Sequence, residues 1–148
     1  MERTIFHVDV NSAFLSWEAV YRMKHLGGRL DLRTVCSAVG GDVTRRHGII
    51  LAKSIPARAC GIKTGETVFS ALKKCPELVL VRPNYNLYQR SSDALIRLLK
   101  EYTPLVEQYS IDEAYMDMTE STALFGPPEE VAETIRERIL HELGFTVN

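Results

Sequence analysis

The stretch YSIDEAY, residues 109–115, sets two carboxylates, Asp112 and Glu113, side by side in an apolar, aromatic setting. Charges are costly to bury unless something pairs with them. The flanking runs VEQYS (106–110) and EAYMDM (113–118) each read as a strand, which predicts an antiparallel pair folded about Ser110, Ile111 and Asp112. A regular strand would send Asp112 and Glu113 to opposite faces; a bend lets both reach one place.

A third acid falls in a similar position. RTIFHVDV (3–10) is an apolar, β-branched run that reads as a buried strand with Asp9 at its C-terminal end. If this strand neighbours the hairpin in one sheet, the three carboxylates converge. Read as an oxygen-only ligand set, they favour Mg²⁺ or Mn²⁺ over zinc. Two such ions ~4 Å apart activate an attacking hydroxyl and stabilise a leaving pyrophosphate. The backbone carbonyl of Val10 is a further donor to one ion. Spacing alone fits solvated turn residues equally well.

The rest of the chain reads as alternating strands and helices. After Asp9, Asn11 and Ser12 offer N-cap oxygens to a helix, SAFLSWEAVYRMKHL, closed by Gly27 and Gly28. TVCSAVGG and GIILAK predict two short strands joined by a polar loop, GDVTRRH. SIPARACG predicts a short helix capped by Ser54 with Pro56 in its first turn, and TGETVFSALKKC a second. ELVLVRP reads as a strand. A long helix follows, capped by Asn84 and stopped by Pro104, with Leu87, Ala94, Leu95, Leu98 and Leu99 as its core stripe. PPEEVAETIRERILHELG predicts an amphipathic helix with Val131, Ile135, Ile139 and Leu140 inward, and FTVN starts another strand. The fold class is α/β (α+β): a mixed or antiparallel sheet with helices on one face. Residues 19–82 form short βαβ-like pieces inserted between 1–18 and 83–148.

Composition bounds the function. At 148 residues, 45% apolar and 25% charged, the chain is about one soluble globular domain. No apolar run is long enough to span a bilayer, and MERTIFHVDV lacks a signal peptide's apolar core, so the expected location is the cytoplasm. Cys36, Cys60 and Cys75 have no metal-type spacing and read as reduced thiols. A net charge of −1 counts mildly against a nucleic-acid surface within these residues. A strand begun at Phe145 and ended at Asn148 suggests a piece of a longer protein.

HVDVNSAFLSWEA (7–19) together with YSIDEAYMDM (109–118) resembles the Y-family, or translesion, DNA polymerases of the DinB/UmuC (ImpB/MucB/SamB) type. LAKSIPARACGIKTGE (51–66) resembles that family's fingers motif, and the Asp-Val-Asn triplet leans toward the UmuC-related branch. The resemblance runs in order over the whole chain. It implies a palm (1–18 and 83–148) interrupted by a small fingers subdomain (19–82), and template-directed nucleotidyl transfer from dNTP to a primer 3′-OH on damaged DNA.

Asp9, Asp112 and Glu113 would then hold two Mg²⁺ ions, with Mn²⁺ able to substitute. Phe14 would be a steric gate under the sugar; unaided, the residue reads as a core aromatic against Trp17. Arg58 matches the fingers arginine that meets the triphosphate, although a surface helix arginine fits as well. Ser54 caps its helix or reaches phosphate. The amides of Asn11, Ser12, Ala13 and Phe14, at a helix N-terminus, suit phosphate oxygens. Lys53, Arg45 and Arg46 lie near the fingers loop, the last two reading as a solvated basic loop. One departure is Ile55, where many relatives have tyrosine. Implied partners are primer–template DNA, dNTP and, through regions outside this chain, a sliding clamp. The family's further lysine, thumb and little finger are also outside it, so the chain alone is expected to be inactive. Rival readings are a palm-type nucleotide cyclase and a catalytically silent DNA-repair scaffold.

Overall fold

The structure, a computed structural model, describes residues 2–41 and 48–148, so most of the GDVTRRH loop, with Arg45 and Arg46, lies outside the described residues. Along the chain run β1 (Ile5–Asp9), α1 (Ala13–His25), β2 (Ser37–Gly40), β3 (Ile50–Lys53), α2 (Ile55–Ala59), α3 (Val68–Lys74), β4 (Val79–Val81), α4 (Tyr85–Leu99), β5 (Val106–Ser110), β6 (Glu113–Asp117), α5 (Thr122–Phe125) and α6 (Pro128–Arg138). They form two compact units, Met1–Asn11 with Tyr88–Asn148, and Ser12–Leu87.

The first unit is built on an antiparallel sheet of order β1-β6-β5. Strand periodicity sorts its two faces. Val8, Val10, Ala114, Met116 and Met118 are buried, whereas Ile5, His7 and Tyr115 on the other face are exposed. Val147 adds a bridge to the free side of β1 at Val10, so FTVN does return to the sheet. Asn84 caps α4 through a bond from the Leu87 amide (3.1 Å). The buried stripe of α4 is Leu87, Tyr88, Ser92, Leu95, Leu98 and Leu99, with Ala94 only at its margin.

In the last helix, Val131, Ile135 and Ile139 are buried as expected, but Leu140 is 45% exposed. At about 3.6 residues per turn Leu140 stands two and a half turns beyond Val131, on the side of the helix opposite the stripe, so the expectation that it faces inward fails on the helical period itself. Residues Ile139–Leu143 form a π-helical turn in which the Gly144 amide reaches back to Ile139. Phe145 and Val147 are buried further along.

The second unit holds a sheet of order β3-β2-β4, antiparallel between β2 and β3 and parallel between β2 and β4. Its core gathers Ala38, Ile50, Ala57, Ile62, Val68, Ala71, Cys75 and Leu78. The three thiols, far apart in sequence, meet here: Cys36 precedes β2, and Cys60 and Cys75 are the C-caps of α2 and α3. Burial, then hydrogen bonds with the Cys75 and Cys60 thiols, pushes the Cys36 thiol up to about 12.

Asp31 caps a short 3₁₀ turn, Leu32–Thr34. Its Oδ1 accepts from the Arg33 amide and Nε (3.0 Å each) and its Oδ2 from Nη2 (3.0 Å). This guanidinium fork holds the Asp31 carboxyl below the usual carboxylate range. A carboxyl lowered by folding adds stability above its unfolded value, and that stability is lost as pH falls through the unfolded value toward the folded one. Asp31→Ala is therefore expected to cost about 1 kcal/mol near neutral pH. The difference from the parent should shrink on acidification, and thermal melts of both proteins at the two pH values check it.

Candidate active site

The strand pairing decides the site. In the β1–β6 ladder, Asp9 lies directly opposite Glu113 and His7 opposite Tyr115. Directly opposed residues share a face of the sheet, so both acids stand on the open side. Asp112 occupies the two-residue tip between β5 and β6. Its carbonyl accepts the Val10 amide (2.9 Å), which pins the tip to the end of β1. The three acids therefore come from two chain segments held by one backbone ladder.

Neighbouring side chains orient them. The Ser110 hydroxyl lies 2.8 Å from Asp112 Oδ1 and 3.0 Å from Glu113 Oε2, so its single proton is shared between the two carboxylates. His7 Nε2 lies 3.2 Å from Glu113 Oε1, and the His7 ring stacks on Tyr115 (4.6 Å between centroids). Tyr109, where β5 slips register, meets Tyr115 edge-on (6.1 Å). The set is thus less purely oxygen than the sequence suggested: a histidine two residues before Asp9 falls on the same face.

Electrostatics follow from the crowding. Burial first, then the charges of Asp112 and Glu113, push the Asp9 carboxyl above its ordinary range, with His7 opposing. Among the described residues no lysine or arginine pairs with any of the three acids. Such a set of unneutralised carboxylates fits a divalent cation. Among the described residues the oxygens of these three acids do not gather within 4.8 Å of one another as the three sulfurs of the second unit do.

Asn11 ends the first unit. Its amide donates to the Thr146 carbonyl (3.1 Å), its side-chain amide donates to Thr146 Oγ1 (2.9 Å), and its Oδ1 accepts from Asn148 Nδ2 (2.8 Å). The Asn11 amide is thus committed to the sheet and withdrawn from the proposed phosphate-binding set. It is not a helix cap either. Ser12, in the left-handed region at φ 44°, makes no side-chain cap bond; the strand-to-helix turn is too tight to aim its hydroxyl down the helix.

The remaining expected residues belong to the second unit. Ser12 is exposed and Ala13 buried at the start of α1. Phe14 is half-buried, with its ring 6.3 Å from Trp17 and edge-on to Tyr85 at 6.1 Å. Ser54 is buried. Its hydroxyl donates to the Val35 carbonyl (2.7 Å) and accepts from the amides of Ala57 and Ser37 (3.1 Å each). All its capacity is used, so its role is the cap and not the phosphate contact. Arg58 is exposed on α2, and Ile55 at the first turn is 79% exposed. Lys53 donates to Thr64 Oγ1 (3.0 Å). Sequence reasoning missed Ser110 and His7. Ser110 lies inside the quoted motif, and period-two counting from Asp9 finds His7. Thr146 and Asn148 left no signal, because their pairing spans the chain.

The antiparallel sheet that carries Asp9, Asp112 and Glu113 at one end matches the fold of a polymerase palm. The impB/mucB/samB family profile matches residues 8–148, and the chain belongs to that family. It is 51% identical over its whole length to the DNA polymerase IV of Clostridium acetobutylicum, of which it spans 37%. Among solved structures it resembles a Y-family DNA polymerase chimera of Dbh and Dpo4 (TM-score 0.81, 26% identity, covering 97% of this chain and 40% of that one). A ternary complex of Dbh with partially disordered substrates matches similarly (TM-score 0.78, 26% identity, covering 97% and 39%). The chain thus spans a little over a third of the length of the curated relative. That relative is a DNA polymerase IV, so the Asp-Val-Asn triplet does not by itself place the chain on the UmuC side.

Proposed function

We propose that this chain is the catalytic palm and fingers portion of a template-directed, translesion DNA polymerase. The observation that carries the reading is the direct pairing of Asp9 with Glu113, with Asp112 tied to Val10 at the same end of the ladder. Residues 1–18 and 83–148, with the sheet of β1, β6 and β5, are the palm, and residues 19–82 are the fingers. Asp9, Asp112, Glu113 and the Val10 carbonyl would hold the Mg²⁺ ions. When bound, two ions supply charge neutralisation at the attacking and leaving oxygens of nucleotidyl transfer.

The chain's own residues do the positioning. Asp112 and Glu113, fixed by Ser110, set where the primer 3′-oxygen can approach the α-phosphorus. His7 holds Glu113 on the open face. Phe14 lies under the sugar, and Arg58 offers its guanidinium fork to the triphosphate. The amides of Ser12, Ala13 and Phe14 supply dipoles of the same sign at the start of α1. Ile55 cannot make the hydrogen bond of a tyrosine there, which leaves triphosphate alignment more dependent on Arg58. Primer–template DNA and dNTP are the substrates, a sliding clamp engages other regions of the whole protein, and the work is done in the cytoplasm as part of the response to DNA damage.

The test uses the carboxylates without requiring DNA. Asp9 faces like charges, and like charges directly opposed destabilise a strand pair by roughly 0.2–1 kcal/mol. Asp9→Asn should therefore raise thermal stability in chelator by that amount. The same change should abolish the stabilisation that Mn²⁺ gives the parent. A parent protein whose melting temperature ignores Mn²⁺ would remove the metal reading. Primer extension by this chain beside the full-length protein separately checks that the chain alone is inactive.

A further inference from the structure

The second unit carries a cluster that polymerase chemistry does not use. Among the described residues, only Cys36, Cys60 and Cys75 bring three metal-ligating side-chain atoms within 4.8 Å of one another. The Cys36 and Cys60 sulfurs are 4.0 Å apart. Sulfurs bound tetrahedrally at a Zn–S distance near 2.3 Å are themselves separated by roughly 3.8 Å. The trio thus stands a few tenths of an ångström to about 1 Å from ligating geometry, within reach of side-chain rotation.

The backbone fixes all three positions. The Cys36 carbonyl accepts the Val79 amide (3.0 Å), and the Cys75 carbonyl accepts the Leu78 amide (3.1 Å), so successive residues of one segment hold both. The Cys60 amide closes α2 on Pro56 and Ala57, and Gly61, at φ +87°, turns the chain away immediately afterwards. Lys74 Nζ then donates to the Gly61 carbonyl (2.9 Å), clasping the end of α2 to the end of α3. The cysteine-bearing termini are therefore held together by bonds that do not involve sulfur. Burial is graded: Cys75 is in the core, Cys36 is intermediate and Cys60 is exposed. An ion would enter past Cys60, with its fourth position open to water.

We infer that Cys36, Cys60 and Cys75 form a binding site for a thiophilic d¹⁰ cation, Zn²⁺ in an S₃-plus-water set. Thiolate ligands select such ions over Mg²⁺ or Ca²⁺. The site lies wholly within the second unit. It would tie β2, α2 and α3 together at one point.

Co²⁺ titration of the reduced chain under anaerobic conditions, with excess Mg²⁺ present, tests this. Thiolate ligation gives a near-ultraviolet sulfur-to-cobalt charge-transfer band, which carboxylate-bound cobalt lacks, so failure of the carboxylate reading would leave this readout untouched. The expected result is one Co²⁺ per chain, displaced by stoichiometric Zn²⁺ and not by Mg²⁺. Cys60→Ser, an exposed change that spares the core, should weaken the affinity at least 10-fold and lower the band. Cys36→Ser should do the same with the far-ultraviolet circular dichroism unchanged. Absence of the band, or a band that Cys60→Ser leaves intact, overturns the site. Formation of a Cys36–Cys60 disulfide in preference to binding when air and equimolar Zn²⁺ are both supplied also overturns it.

Discussion

Asp112→Ala in the full-length protein is expected to lower primer extension on the order of 10³-fold or more, while binding of primer–template DNA persists. The size follows from position. Asp112 stands at the tip between β5 and β6, where its backbone carbonyl, and not its side chain, is tied to Val10 (2.9 Å). Truncating the side chain therefore leaves the hairpin pinned and removes only the charge and its bond from Ser110 (2.8 Å). Residues that act as a unit are non-additive, so adding Asp9→Ala to the variant should cost little more. Single-turnover extension with Mg²⁺ and with Mn²⁺, beside a DNA-binding titration, is the measurement. Extension retained in the single variant would take Asp112 out of the mechanism. Ser110→Ala is a graded companion: both acids remain, but the hydroxyl that holds them is lost, and a smaller drop is expected.

The parts of the site legible in the sequence were those set by local rules. The alternation in FHVDV and EAYMDM carries the strand faces, and the turn between the acids follows from where the two apolar runs stop. That Asp9 faces Glu113 was conditional, because pairing between residues 9 and 113 leaves no local mark. Whole-chain resemblance stood in for that information. Leu140 fails on the period alone, since at about 3.6 residues per turn it stands half a turn from Val131. The other failures share one physical origin. Ser12 carries a capping hydroxyl, yet the backbone there is left-handed, and its geometry is imposed by the turn out of β1. Asn11 has the oxygen of a cap and spends it on Asn148, 137 residues away. The three cysteines have no recognisable spacing because two helix ends and a strand start bring them together. Tertiary closure sets all of these, and closure is the level at which sequence patterns are silent.

Phe14→Ala in the full-length protein is expected to raise the ratio of ribonucleotide to deoxynucleotide incorporation by roughly 100-fold, the scale at which a pocket discriminates one added hydroxyl. Two roles compete at this residue. The ring packs on Trp17 and Tyr85, as a core aromatic would, yet it remains half-exposed. A ring that only packed would be more fully covered, as Trp17 is at 1% exposure. The two roles part in kinetics. Loss of packing alone loosens α1 and depresses kcat/KM for both sugars together, leaving their ratio unchanged. Loss of a gate changes the ratio, because space opens where only the 2′-hydroxyl needs it. Phe14→Leu sharpens the comparison: it keeps apolar contact with Trp17 and Tyr85 but shortens the reach of the side chain. It should hold the melting temperature near that of the parent and still admit ribonucleotides to an intermediate degree. An unchanged ratio in both variants, with a lowered melting temperature in Phe14→Ala, would assign the residue to packing and leave sugar selection to another residue.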